Sequence, residues 1–148
     1  MKTIPAELKH LPYLVYFQIK MAKETENMDL DPDIVSRGVK AVLKDIHKGQ
    51  YFICEKEGKI IASLLTLYEW SDWRNGQVLW IHSVFVDKAF RNQGVFKRMY
   101  NYLKEKVEND PKLFGLRLYV DQSNHLAQKV YENLGMKNDH YSLYEWMQ

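Results

Sequence analysis

The stretch Arg91-Asn92-Gln93-Gly94 separates an apolar run, Val84-Phe85-Val86, from apolar residues at Phe96, Met99, Tyr100, Leu103 and Val107. The first run has the character of a buried strand, and the second set has helical spacing. The chemistry such a junction can do is anion binding. The first amides of a helix have no partner inside it, and the helix dipole makes that end positive. A glycine at the junction, lacking Cβ, lets a phosphate come close to the backbone. A tight strand-to-helix connection needs the same residue types, so the loop alone does not decide between the two.

A second motif does more. About thirty residues on, the chain reads Asn124-His125-Leu126-Ala127-Gln128-Lys129-Val130-Tyr131-Glu132-Asn133-Leu134-Gly135-Met136. In this order, the two segments resemble the GNAT superfamily of acetyl-CoA-dependent N-acetyltransferases. The first is similar to its pyrophosphate loop, Gln/Arg-x-x-Gly-x-Gly/Ala, and the second to its Asn-x-x-Ala-x-x-x-Tyr-x-x-x-Gly-Phe helix. One departure is plain: Phe96 stands where the family usually has Gly or Ala.

The resemblance implies acetyl-CoA as co-substrate, with its pyrophosphate on Arg91, Asn92, Gln93, Gly94, Val95 and Phe96. It implies that Val84, Phe85 and Val86 pair through their backbone with the pantetheine arm, on a strand splayed from its neighbour by a bulge. An amide near Phe85 would polarise the thioester carbonyl. Asn124 would reach the pantetheine amides, or simply cap its helix. Lys97, Arg98 and Lys129 are candidates for the 3′-phosphate. Tyr131 would be the general acid for the departing thiolate. A phenol with a pKa of about 10 can protonate or hydrogen-bond a thiolate of pKa about 8.5 while staying neutral itself.

The base is open between His82 and the pair Glu24 and Glu26. His82 lies on the strand leading to the loop, in Ile81-His82-Ser83-Val84-Phe85-Val86, a run similar to the arylalkylamine branch of the superfamily. Imidazole, with a pKa near 6.5, suits proton removal at neutral pH. The partner histidine of that branch is replaced here by Trp80. Glu24 and Glu26 end the first helix, where the fold implied by the resemblance roofs the acceptor pocket. For the acceptor itself, Glu69, Trp70, Asp72 and Trp73 gather acids and ring faces that could hold a cationic amine. A dimer contact would use the same hairpin equally well. Tyr141 and Tyr144 are further candidates for the pocket wall.

These residues need a scaffold, and the pattern supplies one. A short strand at Lys2–Pro5 and a helix over Glu7–Asn27 come first. Asp31-Pro32 starts a second helix as cap and first residue, and Gly49 closes it. Strands at Tyr51–Glu55, Lys59–Leu67 and Val78–Val86 follow, joined by turns at Gly58 and at Asn75-Gly76. A helix over Gln93–Glu108, a strand over Gly115–Asp121, a helix over Asn124–Leu134 and a last strand over Tyr141–Trp146 complete the order. Met136–Asn138 could add one more short strand. The expected class is α/β (α+β): a mixed, mostly antiparallel sheet of six to seven strands, flanked by about four helices and splayed at the cofactor slot.

The 148 residues fit one domain, 1–148. A net charge of +2 gives no argument for nucleic acid. No run approaches the ~20 apolar residues that span a bilayer, and no signal peptide is expected. Cys54 is the single cysteine, in an apolar run, so it reads as a buried thiol in a reducing compartment, the cytoplasm. The five histidines show no metal-ligand spacing; His10, His47, His125 and His140 read as surface or capping residues. The expectation is therefore an acetyl-CoA-dependent transferase acting on a small-molecule amine, with a homodimer open. Its rivals are a protein or peptide N-acetyltransferase and a non-catalytic acyl-CoA-binding domain, the latter kept in play by Phe96.

Overall fold

The computed structural model describes residues 1–148. Strand β1 (Lys2–Pro5) is followed by a 3-10 turn at Leu8–His10, then helices α1 (Leu11–Glu26) and α2 (Pro32–Lys44). Strands β2 (Gln50–Lys56), β3 (Lys59–Ser71) and β4 (Gly76–Val86) come next, then α3 (Val95–Asn109), β5 (Leu113–Arg117) and α4 (His125–Asn133). The sheet order is β1-β2-β3-β4-β5. The first three pairings are antiparallel, and β4 pairs β5 in parallel. This is the expected mixed, mostly antiparallel sheet with four helices.

Three local differences have physical causes. The expected helix over Glu7–Asn27 breaks near its start because Pro12 lacks an N–H, and α1 begins afresh with it in the first turn. His10 turns out to be buried, and its Nδ1 accepts the Glu7 amide at 2.9 Å. The sheet has five strands, not six to seven, since neither Met136–Asn138 nor Tyr141–Trp146 forms a ladder. Strand-forming residue types do not make a strand without a neighbour for their backbone groups.

Contacts divide the chain into two compact units, Met1–Arg117 and Leu118–Gln148. The first holds the core, on both faces of the sheet. On one face, Tyr51, Ile53 and Leu65 pack with Leu14 of α1 and Val35 and Val39 of α2. On the other, Phe52 meets Tyr102 of α3 at 5.6 Å between ring centroids. Met99 and Leu103 of α3 are wholly buried. Cys54 is buried as expected, and burial pushes its thiol pKa up. The second unit carries α4, capped by Asn124, whose Oδ1 accepts the Ala127 amide at 3.1 Å. No helix is long and apolar enough to cross a membrane.

Candidate functional site

The register of β3 against β4 locates a bulge. Leu65 pairs with His82 and Ser63 with Phe85, so the single residue Leu64 faces both Ser83 and Val84. The extra residue is accommodated at Ser83, which takes a φ of 50°. Asp87 then donates its amide to Ile61 of β3. By the alternation of an antiparallel ladder, Phe85 also turns its backbone groups to β3, while Val84 and Val86 turn theirs the other way. On that other side, pairing with β5 ends at Trp80 and Arg117. Val84 and Val86 thus present backbone groups away from β3, beyond the last β4–β5 pair, where the sequence places the cofactor slot. The amides on that side near Phe85 are those of its neighbours, Val84 and Val86.

The loop after β4 is fixed by its own contacts. A 3-10 turn, Lys88–Phe90, starts with Asp87 Oδ1 accepting the Ala89 amide at 3.0 Å. Gln93 donates Nε2 to the Ala89 carbonyl at 3.0 Å and accepts Lys56 Nζ at 3.3 Å. Asn92 and Gly94 are left-handed, at φ of 61° and 72°. Gly94 is the N-cap of α3, and no side chain caps this end. A Cβ at Gly94 would meet no protein atom within 4 Å, so its left-handed conformation, not crowding, calls for glycine. A helix start whose amides no side chain claims is an anion-binding end.

Arg91 ties the loop to the rest of the unit. Its Nε donates to the Val86 carbonyl at 2.9 Å, and its guanidinium lies 5.8 Å above the Phe85 ring. Its Nη2 donates to Glu24 of α1 at 2.7 Å, and Lys88 adds a second cation 3.5 Å from the same carboxylate. The hydrogen bond from Arg91, chiefly, holds the Glu24 carboxyl below its usual pKa. Phe85 in turn stacks on Phe17 of α1 at 4.8 Å.

On the α1/α2 face of the sheet, a second cluster lies further back along β4. Glu69 accepts the Trp80 indole N–H at 3.0 Å and Arg117 at 2.6 Å. These bonds, led by that from Trp80, lower the Glu69 pKa. The Trp80 and His82 rings lie 6.3 Å apart. Half-burial lowers the His82 pKa, which keeps the imidazole neutral and able to accept a proton.

The sequence profile of the Acetyltransferase (GNAT) family matches residues 17–136, most of the chain. The chain belongs to the GNAT acetyltransferase family. The crystal structure of a possible acetyltransferase from Clostridium difficile 630 is 41% identical, with a TM-score of 0.93, over 99% of this chain and 97% of that one. Two more distant solved structures share the GNAT fold. Ribosomal-protein-alanine N-acetyltransferase from Brucella melitensis biovar Abortus 2308 is 14% identical, at a TM-score of 0.80 over 99% of both chains. AAC(6')-Iy, in complex with a bisubstrate analog, CoA-S-monomethyl-acetylneamine, is 17% identical, at 0.77 over 99% of this chain and 97% of that one. Among curated proteins, none matches in sequence.

GNAT proteins transfer the acetyl group of acetyl-CoA, and the residues here fit that co-substrate. The amides of Val84 and Val86 and the Val84 carbonyl face away from β3, free for an extended arm, while Arg91 holds the Val86 carbonyl; the uncapped start of α3 offers N–H groups to a diphosphate. Phe96, the departure from the GNAT pattern, packs against Tyr100 of its own helix, ring centroids 6.3 Å apart. Asn124 is the cap of α4, and Lys129 is exposed on that helix. Tyr131 is half-buried on α4, and burial raises its pKa.

The acceptor residues expected from the sequence do not form one group. Glu24 is engaged with Arg91, and Glu26 is exposed at the last position of α1. Glu69 and Trp70, adjacent on β3, point to opposite faces. Trp70 is 61% and Trp73 91% exposed, and Asp72 accepts the Trp73 amide. Tyr141 and Tyr144 are exposed. Sequence reasoning missed Arg117, because its pairing with Glu69 joins strands 48 positions apart. Trp80 was visible only as a substitution in the arylalkylamine-like run; its bond to Glu69 required the register of β3 on β4.

Proposed function

We propose that this GNAT protein acetylates a primary amine of a small molecule by direct attack in a ternary complex. The observation that carries the reading is the bulge at Ser83, which turns the amides of Val84 and Val86 away from β3 a few residues before the Gly94-capped start of α3. Acetyl-CoA supplies the thioester. The amide of Val84 or Val86 donates to the carbonyl oxygen as negative charge develops there. His82 takes the proton of the incoming ammonium, directly or through water, and its lowered pKa keeps it ready to do so. The amine nitrogen bonds to the carbonyl carbon, the carbon–sulfur bond breaks, Tyr131 gives its proton to the thiolate, and the extra proton on the acylated nitrogen returns the Tyr131 phenolate to its neutral form.

The acceptor reaches the α1/α2 face of the sheet, where His82, Trp80 and Glu69 lie together. Glu69 is balanced there by Arg117, which favours an acceptor of modest charge over a polycation. Within GNAT structures of comparable likeness, one acts on a ribosomal protein and one is bound to an aminoglycoside-like bisubstrate analog, so the acceptor class rests on the site itself. A reducing compartment, the cytoplasm, suits the lone buried Cys54. A panel of amines assayed with acetyl-CoA and thiol detection tests the reading. Turnover with small amines is the expected result, and acetyl-CoA binding without turnover on any amine or peptide would favour the non-catalytic alternative.

A further inference from the structure

The cations that the loop after β4 carries are spent within the protein. Arg91 and Lys88 both turn to the Glu24 carboxylate, at 2.7 and 3.5 Å. The amides at the start of α3 supply only partial charge, and a diphosphate is a dianion. Lys56, the last residue of β2, stands in a different position. Its Nζ donates to Gln93 Oε1 at 3.3 Å, at the residue just before Gly94. The same ammonium lies 5.5 Å from the centre of the Phe90 ring. Both partners are neutral, so the charge of Lys56 is held against the loop without being cancelled. Gln93 in turn donates to the Ala89 carbonyl, which ties the ammonium to the folded shape of the loop. The β2–β3 register also puts Lys56 directly opposite Lys59. Like charges facing each other across a hairpin cost stability. Proteins keep such local costs chiefly at functional positions.

We propose that Lys56 is a binding residue for the cofactor's diphosphate, brought to the loop from a separate strand. The inference rests on the reading of Arg91–Phe96 as the cofactor loop. It goes beyond that reading by assigning the missing full charge to a residue outside the loop, 37 positions from Gln93. Every residue it uses lies within the unit Met1–Arg117. Lys97 and Arg98, in the first turn of α3, stay the candidates for the 3′-phosphate, so different cations read the two anionic groups of the cofactor. An ammonium already seated on Phe90 and Gln93 has lost most of its freedom before the ligand arrives, which lowers the cost of binding.

Titration calorimetry with CoA and with 3′-dephospho-CoA decides it, since the second ligand keeps the diphosphate and lacks the 3′-phosphate. Lys56→Met keeps the stem and removes the charge. It should weaken both ligands by the same factor, about five- to tenfold, the scale of one charge-assisted bond at a partly exposed site. Raising the salt from ~0.05 to ~0.5 M should shrink that factor, because exposed charges are screened, and Lys56→Arg should restore most of the binding. A Lys56→Met protein that binds both ligands as tightly as wild type overturns the proposal. A loss confined to CoA overturns it too, by moving Lys56 to the 3′-phosphate. A loss that ignores salt and is not rescued by arginine is a loss of loop structure, and refutes the role of the charge. Wild-type protein that binds neither ligand would instead sink the cofactor reading of the loop, and this proposal with it.

Discussion

Arg91 of the cofactor loop donates to Glu24 of α1 at 2.7 Å, and this bond reassigns Glu24. A carboxylate engaged by Arg91 and Lys88 is a poor ligand for an amine. It is well placed to hold the arginine that also grips the Val86 carbonyl. Glu24→Gln should therefore raise the KM for acetyl-CoA about two- to fivefold, the range of a partly exposed ion pair. The KM for the amine should stay the same. Steady-state kinetics with each substrate varied in turn makes the distinction, and a response confined to the amine would return Glu24 to the acceptor side.

Gly94→Val places a β-branched residue at φ 72°, a conformation that such residues avoid. Titration calorimetry should show roughly micromolar acetyl-CoA binding by the wild type, about −8 kcal/mol. Binding by the variant should be weaker by tenfold or more. Equal binding would mean that the loop does not hold the diphosphate.

Tyr131→Phe removes only a hydroxyl. The turnover rate should fall ~10²-fold or more, the scale of a general acid, with little change in acetyl-CoA affinity. Single-turnover measurements confirm that chemistry limits the rate being compared.

The pH dependence reports on His82. Burial lowers its pKa, so it is neutral at and above its ordinary value and becomes protonated only as pH falls below it. The acidic limb of kcat/KM should accordingly have its midpoint below about 6.5, and His82→Ala should flatten that limb. An unaltered limb in the variant would assign the base elsewhere.

Much of the fold can be read from the chain, because its signals are local. Asp31-Pro32 starts α2 as expected, with Asp31 Oδ1 accepting the Asp33 amide at 2.8 Å. The spacing of Met99, Tyr100 and Leu103 marks the buried side of α3. The cofactor loop is legible for the same reason, being one contiguous run. The acceptor side is not, since it depends on register. Which face Glu69 shares with Trp80 and Arg117 follows from strand pairing across dozens of residues, and no window of sequence contains it. The missing last strand fails likewise: Tyr141–Trp146 has the composition, but a ladder needs a second strand.

The extra residue at Ser83 acts as a phase shifter in β4. His82 and Phe85 are three apart, yet register puts both on the α1/α2 face, opposite Leu65 and Ser63. In an unbulged strand, residues three apart lie on opposite faces. Deleting a single residue between them would remove the bulge and leave His82 and Phe85 two apart in a regular ladder, both still on the α1/α2 face. Substitutions along this strand can be graded in their effect. A library that allows one-residue gaps should therefore find that the fold survives a gap at Ser83–Val84, with acetyl-CoA binding impaired, and survives one at the Asp72–Asn75 tip, but not one elsewhere in β4, where a gap shifts the register.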